Sequence, residues 1–136
     1  MVAISFSTFR DKLLSGEKDQ TIRPYSENRY HLLKVRRKRI QVYWKQRTKE
    51  CEKLFEAEPT EVFTVFLDPD SHCIYRYDDH VGKTWIPVEE QEEIVRRDGF
   101  RDVEEFFEFF TRMYGEEYLW DNIFMVIRFR KLDGGR

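Results

Sequence analysis

Apolar and polar residues alternate at the start of the chain, take up a three-to-four-residue period twice, and end in a nearly continuous apolar run. Val2-Ala3-Ile4-Ser5-Phe6 has the two-residue period of a strand. Thr8-Phe9-Arg10-Asp11 then has the form of a capping box, with Thr8 as N-cap and the Asp11 carboxylate reaching back. The short helix it opens brings Phe9 and Leu13 onto one face and ends at Gly16, the residue best able to take the left-handed C′ conformation. Gln20-Thr21-Ile22-Arg23 is a short β run stopped by Pro24, so Thr21 and Arg23 share one face while Ile22 turns to the core. A loop is predicted over 25–34. A strand is predicted over 34–49, with Ile40, Val42 and Trp44 opposite Arg39, Gln41 and Tyr43.

Further on, Leu54-Phe55 and the run Val62 to Leu67 read as two strands broken by Pro59, the second stopped at Asp68-Pro69-Asp70. Cys73 to Tyr77 reads as one more. Between Pro87 and Gly115 the period lengthens, with Val88, Ile94 and Val95 on one helix and Val103, Phe106, Phe107, Phe110 and Met113 on a second, joined at Asp98-Gly99. Ile123 to Phe129 is a strongly apolar final strand, and residues 133–136, with Gly134-Gly135, read as a flexible tail. Strand, helix, several strands, a helical pair and a last strand make an α+β order rather than an alternating one. The expectation is one domain over 1–132: a small barrel of five to six mostly antiparallel strands with helices at its mouth.

An apolar content of 40%, with 16% aromatic residues, is enough for a core without staples in a chain of 136 residues, too short for two domains of usual size. The net charge of −2 conceals a strong asymmetry: residues 1–50 hold 13 Lys+Arg against 5 Asp+Glu, and residues 51–136 hold 11 against 21. That division suits a nucleic acid or nucleotide against the N-terminal half, and it equally suits attraction between the two halves within the fold. The start of the chain has no basic segment leading into a long apolar run, which with two cysteines, Cys51 and Cys73, predicts a cytoplasmic setting and reduced thiols. No apolar run approaches the roughly twenty residues needed to span a bilayer, so no membrane role is expected. His72, Cys73 and His80 do not have metal-ligand spacing, and neither a metal nor another cofactor is expected. Nothing in the composition predicts assembly, and a monomer is the working expectation.

The segment Gly16-Glu17-Lys18-Asp19-Gln20-Thr21-Ile22-Arg23 resembles the G-x-K-x-x-E-x-R signature of ASCH domains, relatives of the PUA fold. Gly, Lys and Arg are kept, and Thr21 stands where that signature has glutamate. The bacterial acetylcytidine amidohydrolase branch of the family looks like G-x-K-x-x-T-x-R, with the threonine. The lead-in Phe9 to Ser15, Val42-Tyr43-Trp44, Asp98-Gly99-Phe100 before the Phe-rich helix and the final strand are also similar, so the resemblance covers most of the chain. It implies a PUA-like barrel that holds RNA or a modified nucleoside. By position it also implies a catalytic set of Lys18, Thr21 and Asp98, the last one methylene shorter than the family's glutamate.

A threonine hydroxyl becomes a nucleophile only when a neighbouring base takes its proton, and a lysine is such a base only if burial or adjacent positive charge lowers its pKa from about 10.4. Arg23 could supply that charge. The plainer reading makes Lys18 and Arg23 phosphate contacts, Thr21 a strand residue and Asp98 a cap or turn residue. A second candidate site is the basic stretch with Arg37, Arg39 and Arg47 around Tyr43 and Trp44: cations for phosphates and flat rings for bases, as RNA recognition requires. With Gly16, Lys18 and Arg23 it would form a basic cleft. The same stretch also fits a solvated strand face with Trp44 in the core. Three functions are therefore weighed from the sequence: an RNA- or nucleoside-binding module first, an amidohydrolase removing acetyl from acetylcytidine second, and a protein-interaction domain, which draws only on the acidic helices, third.

Overall fold

The computed structural model describes residues 1–132, so the predicted tail lies outside the described residues. In chain order the elements are β1 (Val2–Phe6), α1 (Arg10–Ser15), β2 (Gln20–Pro24), α2 (Glu27–Tyr30), β3 (Ile40–Trp44), β4 (Glu52–Asp68), β5 (Cys73–Asp78), β6 (Gly82–Trp85), α3 (Val88–Arg97), α4 (Val103–Tyr114), α5 (Glu116–Asp121) and β7 (Phe124–Lys131). A π-helical turn, His31–Val35, continues α2. The chain is α+β, built on a curled, half-barrel mixed sheet of seven strands.

β4 is the spine of the sheet. Its first part pairs antiparallel with β3 and its last part with β5, while β7 runs antiparallel along its opposite edge from Ala57 to Val65. β2 adds antiparallel to β7, β6 adds antiparallel to β5, and β1 adds parallel to β3. The ladder is thus mostly antiparallel, as expected, but has seven strands rather than five or six. The short polar run Gly82–Trp85 lacks the apolar alternation that marks the other strands. Following β2-β7-β4-β3-β1 around the curl leaves β1 and β2 at its two ends, with no ladder between them. Side chains bridge this seam: Arg23 Nη2 donates to Ser5 O at 2.7 Å and Arg29 Nη2 to Ala3 O at 3.4 Å.

Two apolar cores result, one on each side of the sheet. Ile4, Leu13, Leu33, Val42, Ala57 and Ile127 belong to the core inside the curl; Phe63, Val65, Ile94, Phe106, Phe110 and Val126 belong to the core beneath α3 and α4. β7 supplies both in alternation, with Met125 and Ile127 to the first and Phe124 and Val126 to the second. A strand buried on both faces reads as an unbroken apolar run, which is why this one was so plain in the sequence.

Several sequence expectations are corrected. The predicted breaks at Pro59 are a bulge inside one 17-residue strand: Pro59 pairs with Phe129 and Glu61 with Arg128, leaving Thr60 extra. The extra residue reverses the facing, so Phe55 and Ala57 enter the inner core and Phe63 and Val65 the other. Thr8 does not cap α1; the N-cap is Phe9, in the left-handed conformation at φ 62° and with no side-chain cap bond. The predicted loop over 25–34 contains α2 and most of the π turn, begun by Ser26, whose hydroxyl accepts from Arg29 N. The strand predicted over 34–49 is confined to Ile40–Trp44. Gly16 does end α1 at φ 85°. Among the described residues no helix is long and apolar enough to cross a membrane.

Candidate functional site

The seam between β1 and β2 opens into a cavity of about 110 Å³. Three elements build it: the turn from β1 into α1, strand β2, and the junction of α3 with α4. Because α1 stops at Gly16, the chain turns back and Lys18 N donates to Lys12 O at 2.9 Å, which aims the Lys18 side chain toward the end of α3. There Lys18 Nζ donates to the Asp98 backbone carbonyl at 2.5 Å and lies 3.6 Å from Asp98 Oδ1. A cation at a helix C-terminus also meets the negative end of the helix dipole.

Asp98 closes α3, and Gly99 follows at φ 106°. A Cβ on Gly99 would sit 3.0 Å from the Phe9 ring, so this glycine meets both a conformational and a steric need. Phe9 in turn packs edge-on against Phe100, with centroids 5.1 Å apart, and the Lys18 amine sits over the Phe6 and Phe9 rings at 5.5 and 5.4 Å. The sharp turn at residues 98–100 therefore carries the acid into an aromatic-walled recess.

On β2, Thr21 and Arg23 share a face as predicted, and Arg23 Nε donates to Thr21 Oγ1 at 2.9 Å. The Thr21 hydroxyl, with one lone pair engaged by a guanidinium, keeps its own proton available for donation. Lys18, Thr21, Arg23 and Asp98 all line the cavity, and Lys18, Thr21 and Asp98 are each at most 4% exposed. Burial pushes the Lys18 pKa down, Asp98 partly offsets this, and Arg23 adds to it. The Asp98 carboxyl is pushed up by burial, against the opposing pull of Lys18, Gln20 and Arg23. The shared cause is loss of water, which disfavours both charged forms.

Other residues of the sequence reading lie elsewhere. Gly16 is the α1 cap, and Arg37, Arg39, Tyr43 and Arg47 do not line the cavity. Arg37 Nη2 donates to Pro59 O at 3.3 Å beside the β4 bulge, and Arg39 Nη1 lies 3.5 Å from Glu56. Tyr43 is half-buried on β3, and Arg47 is exposed in the turn that follows at φ 69°. Trp44 packs against the inner core with Arg10 and Lys45 over its ring. Conversely, Thr8, Phe100 and Tyr114 line the cavity and Gln20 lies behind it, although periodicity gave none of them a site role. Polar Gln20, wholly buried between Asp19 and Thr21, is the only one with a signal of its own: a buried amide needs partners.

Compared with family models, with curated proteins and with solved structures, the chain has no match. What fold and site define is a class: an α+β protein whose half-barrel sheet leaves a seam, with a desolvated amine, a hydroxyl and a carboxyl gathered in the recess.

Proposed function

We propose that the chain is a PUA-like barrel protein of the ASCH type that admits a modified nucleoside to the seam cavity and hydrolyses its exocyclic amide, with acetylcytidine as substrate. One observation carries this reading: Lys18, its charged form disfavoured by burial, shares a small aromatic-walled recess with the Thr21 hydroxyl and the Asp98 carboxyl. The α+β order and the curled sheet agree with the PUA-like resemblance of the sequence.

In this mechanism neutral Lys18 takes the proton of Thr21 as its oxygen attacks the acetyl carbon. The C–N bond breaks, the exocyclic nitrogen leaves with the proton returned by Lys18, and acetyl remains as an ester on Thr21. Water, deprotonated by the Asp98 carboxylate, then hydrolyses the ester to acetate and restores the hydroxyl. Arg23, already bonded to Thr21 Oγ1, steadies charge developing on that oxygen. The aromatic walls suit the face of a pyrimidine.

The test is acetate release from acetylcytidine by the purified protein beside Lys18→Ala and Thr21→Val. Release by the parent chain and none by either variant is expected; no release by the parent chain refutes the assignment. A second reading, RNA binding, is favoured by the exposed arginines Arg36, Arg37 and Arg39 before β3 and Arg47 after it, of which Arg39 lies 3.5 Å from Glu56. Replacing Arg37 and Arg39 by Ala would then weaken binding to a short RNA and reduce its salt dependence, while Thr21→Val would leave it unchanged.

A further inference from the structure

Behind the cavity, Gln20 directly precedes Thr21 on β2, with its side chain on the opposite face of the strand, and it is wholly buried. Its amide is satisfied at every point that fixes an orientation. Arg128 Nε donates to Gln20 Oε1 at 3.0 Å, so the oxygen faces outward and Nε2 faces the α3 terminus. There Nε2 donates to Ile94 O at 2.8 Å and to Asp98 Oδ1 at 3.2 Å. Arg128 is anchored in turn by Glu61 at 2.9 Å and Glu93 at 3.8 Å. A continuous chain of polar contacts therefore runs from two surface carboxylates through Arg128 and Gln20 to the buried carboxyl of Asp98.

We propose that Gln20 is a positioning residue for Asp98: oriented by Arg128, its amide holds the carboxylate toward Lys18, in place to activate water. The inference rests on the hydrolytic reading of this cavity. An amide can do this where another acid could not, because it donates to a carboxylate without adding charge in a desolvated place. The other groups facing Asp98 are Lys18 beyond α1, Arg23 on β2 and Tyr114 on α4; the two cations favour its ionised form, and the phenol of Tyr114 is held protonated by burial. Lys18 Nζ lies 3.6 Å from Asp98 Oδ1, and Gln20 Nε2 donates to the same oxygen at 3.2 Å. Without Gln20 the carboxyl would have Lys18 alone on that oxygen and would be free to turn.

The experiment uses Gln20→Met, close in length and volume but without a donor, in the full chain. Two quantities are read: the pH dependence of kcat for acetylcytidine hydrolysis, and the Asp98 carboxyl titration by carbon-13 NMR, with the signal assigned by Asp98→Asn. The acidic limb of the rate profile and the NMR midpoint should both move to higher pH, and kcat near neutral pH should fall by about tenfold or more, the usual loss for one hydrogen bond to a charged group. Arg128→Lys, which keeps the charge but loses the Nε donor, should move both in the same direction by less, and it decides the matter if Gln20→Met does not fold. An NMR midpoint unchanged in the folded variant overturns the role of Gln20. Absence of hydrolysis by the parent chain, with the NMR midpoint still moving, instead overturns the hydrolytic reading and leaves the Gln20–Asp98 contact standing.

Discussion

Replacing Lys18 with Met should produce a protein whose stability is low at neutral pH and recovers on acidification. The amine lies 3.6 Å from Asp98 Oδ1, and both side chains are at most 6% exposed. Removing one partner of such a buried pair costs roughly 3–5 kcal/mol, because the other is left without compensation. In Lys18→Met the carboxyl retains only Gln20 and the more distant Arg23 to offset burial, so its pKa in the folded state, already raised by desolvation, rises further. A carboxyl whose folded pKa exceeds its unfolded value, about 3.9, binds its proton more tightly when folded. Stability is then greatest below the unfolded value and is lost as pH rises through the folded one. Urea unfolding from pH 4 to pH 8 should therefore show a deficit against the parent protein of several kcal/mol at pH 8, shrinking toward pH 4. Adding Asp98→Asn should remove most of this pH dependence. A deficit that is the same at every pH, or below about 1 kcal/mol throughout, would refute the picture of two buried groups depending on each other.

Other consequences concern the scaffold. Gly99→Ala forces a Cβ to within 3.0 Å of the Phe9 ring at a φ of 106°, and a loss of about 1–3 kcal/mol in urea unfolding is expected. Asp102 caps α4 by accepting from Glu105 N at 2.8 Å, so Asp102→Ala should cost about 1 kcal/mol, read as a drop in melting temperature. Phe106 is fully buried among Phe100, Phe107 and Phe110, and Phe106→Ala should cost about 3–5 kcal/mol by the same measurement.

Local features are legible in the order of residues. The alternation of Gln20 to Arg23 sets Thr21 and Arg23 on one face because successive strand side chains point oppositely, and the two do meet, at 2.9 Å. Gly16 ends α1 because a residue without Cβ takes the left-handed cap at no steric cost, and the Phe-rich period of α4 was plain because one face packs on the sheet. Features that depend on distant contacts are not legible there. Pro59 looked like a break because it lacks an N–H, but the long ladder with β7 carries β4 through it as a bulge, and that bulge reassigns the faces of the strand between two cores. The cap assigned to Thr8 gave way because Phe9 packs over Gly99, a contact across 90 residues that no local pattern contains. Lys18 was visible as a residue, but its loss of water was not: desolvation comes from the α3–α4 turn closing over it, 80 positions away in sequence. For the same reason Gln20 was silent. An amide between two motif residues acquires a role only when folding brings Arg128 to one end of it and Asp98 to the other.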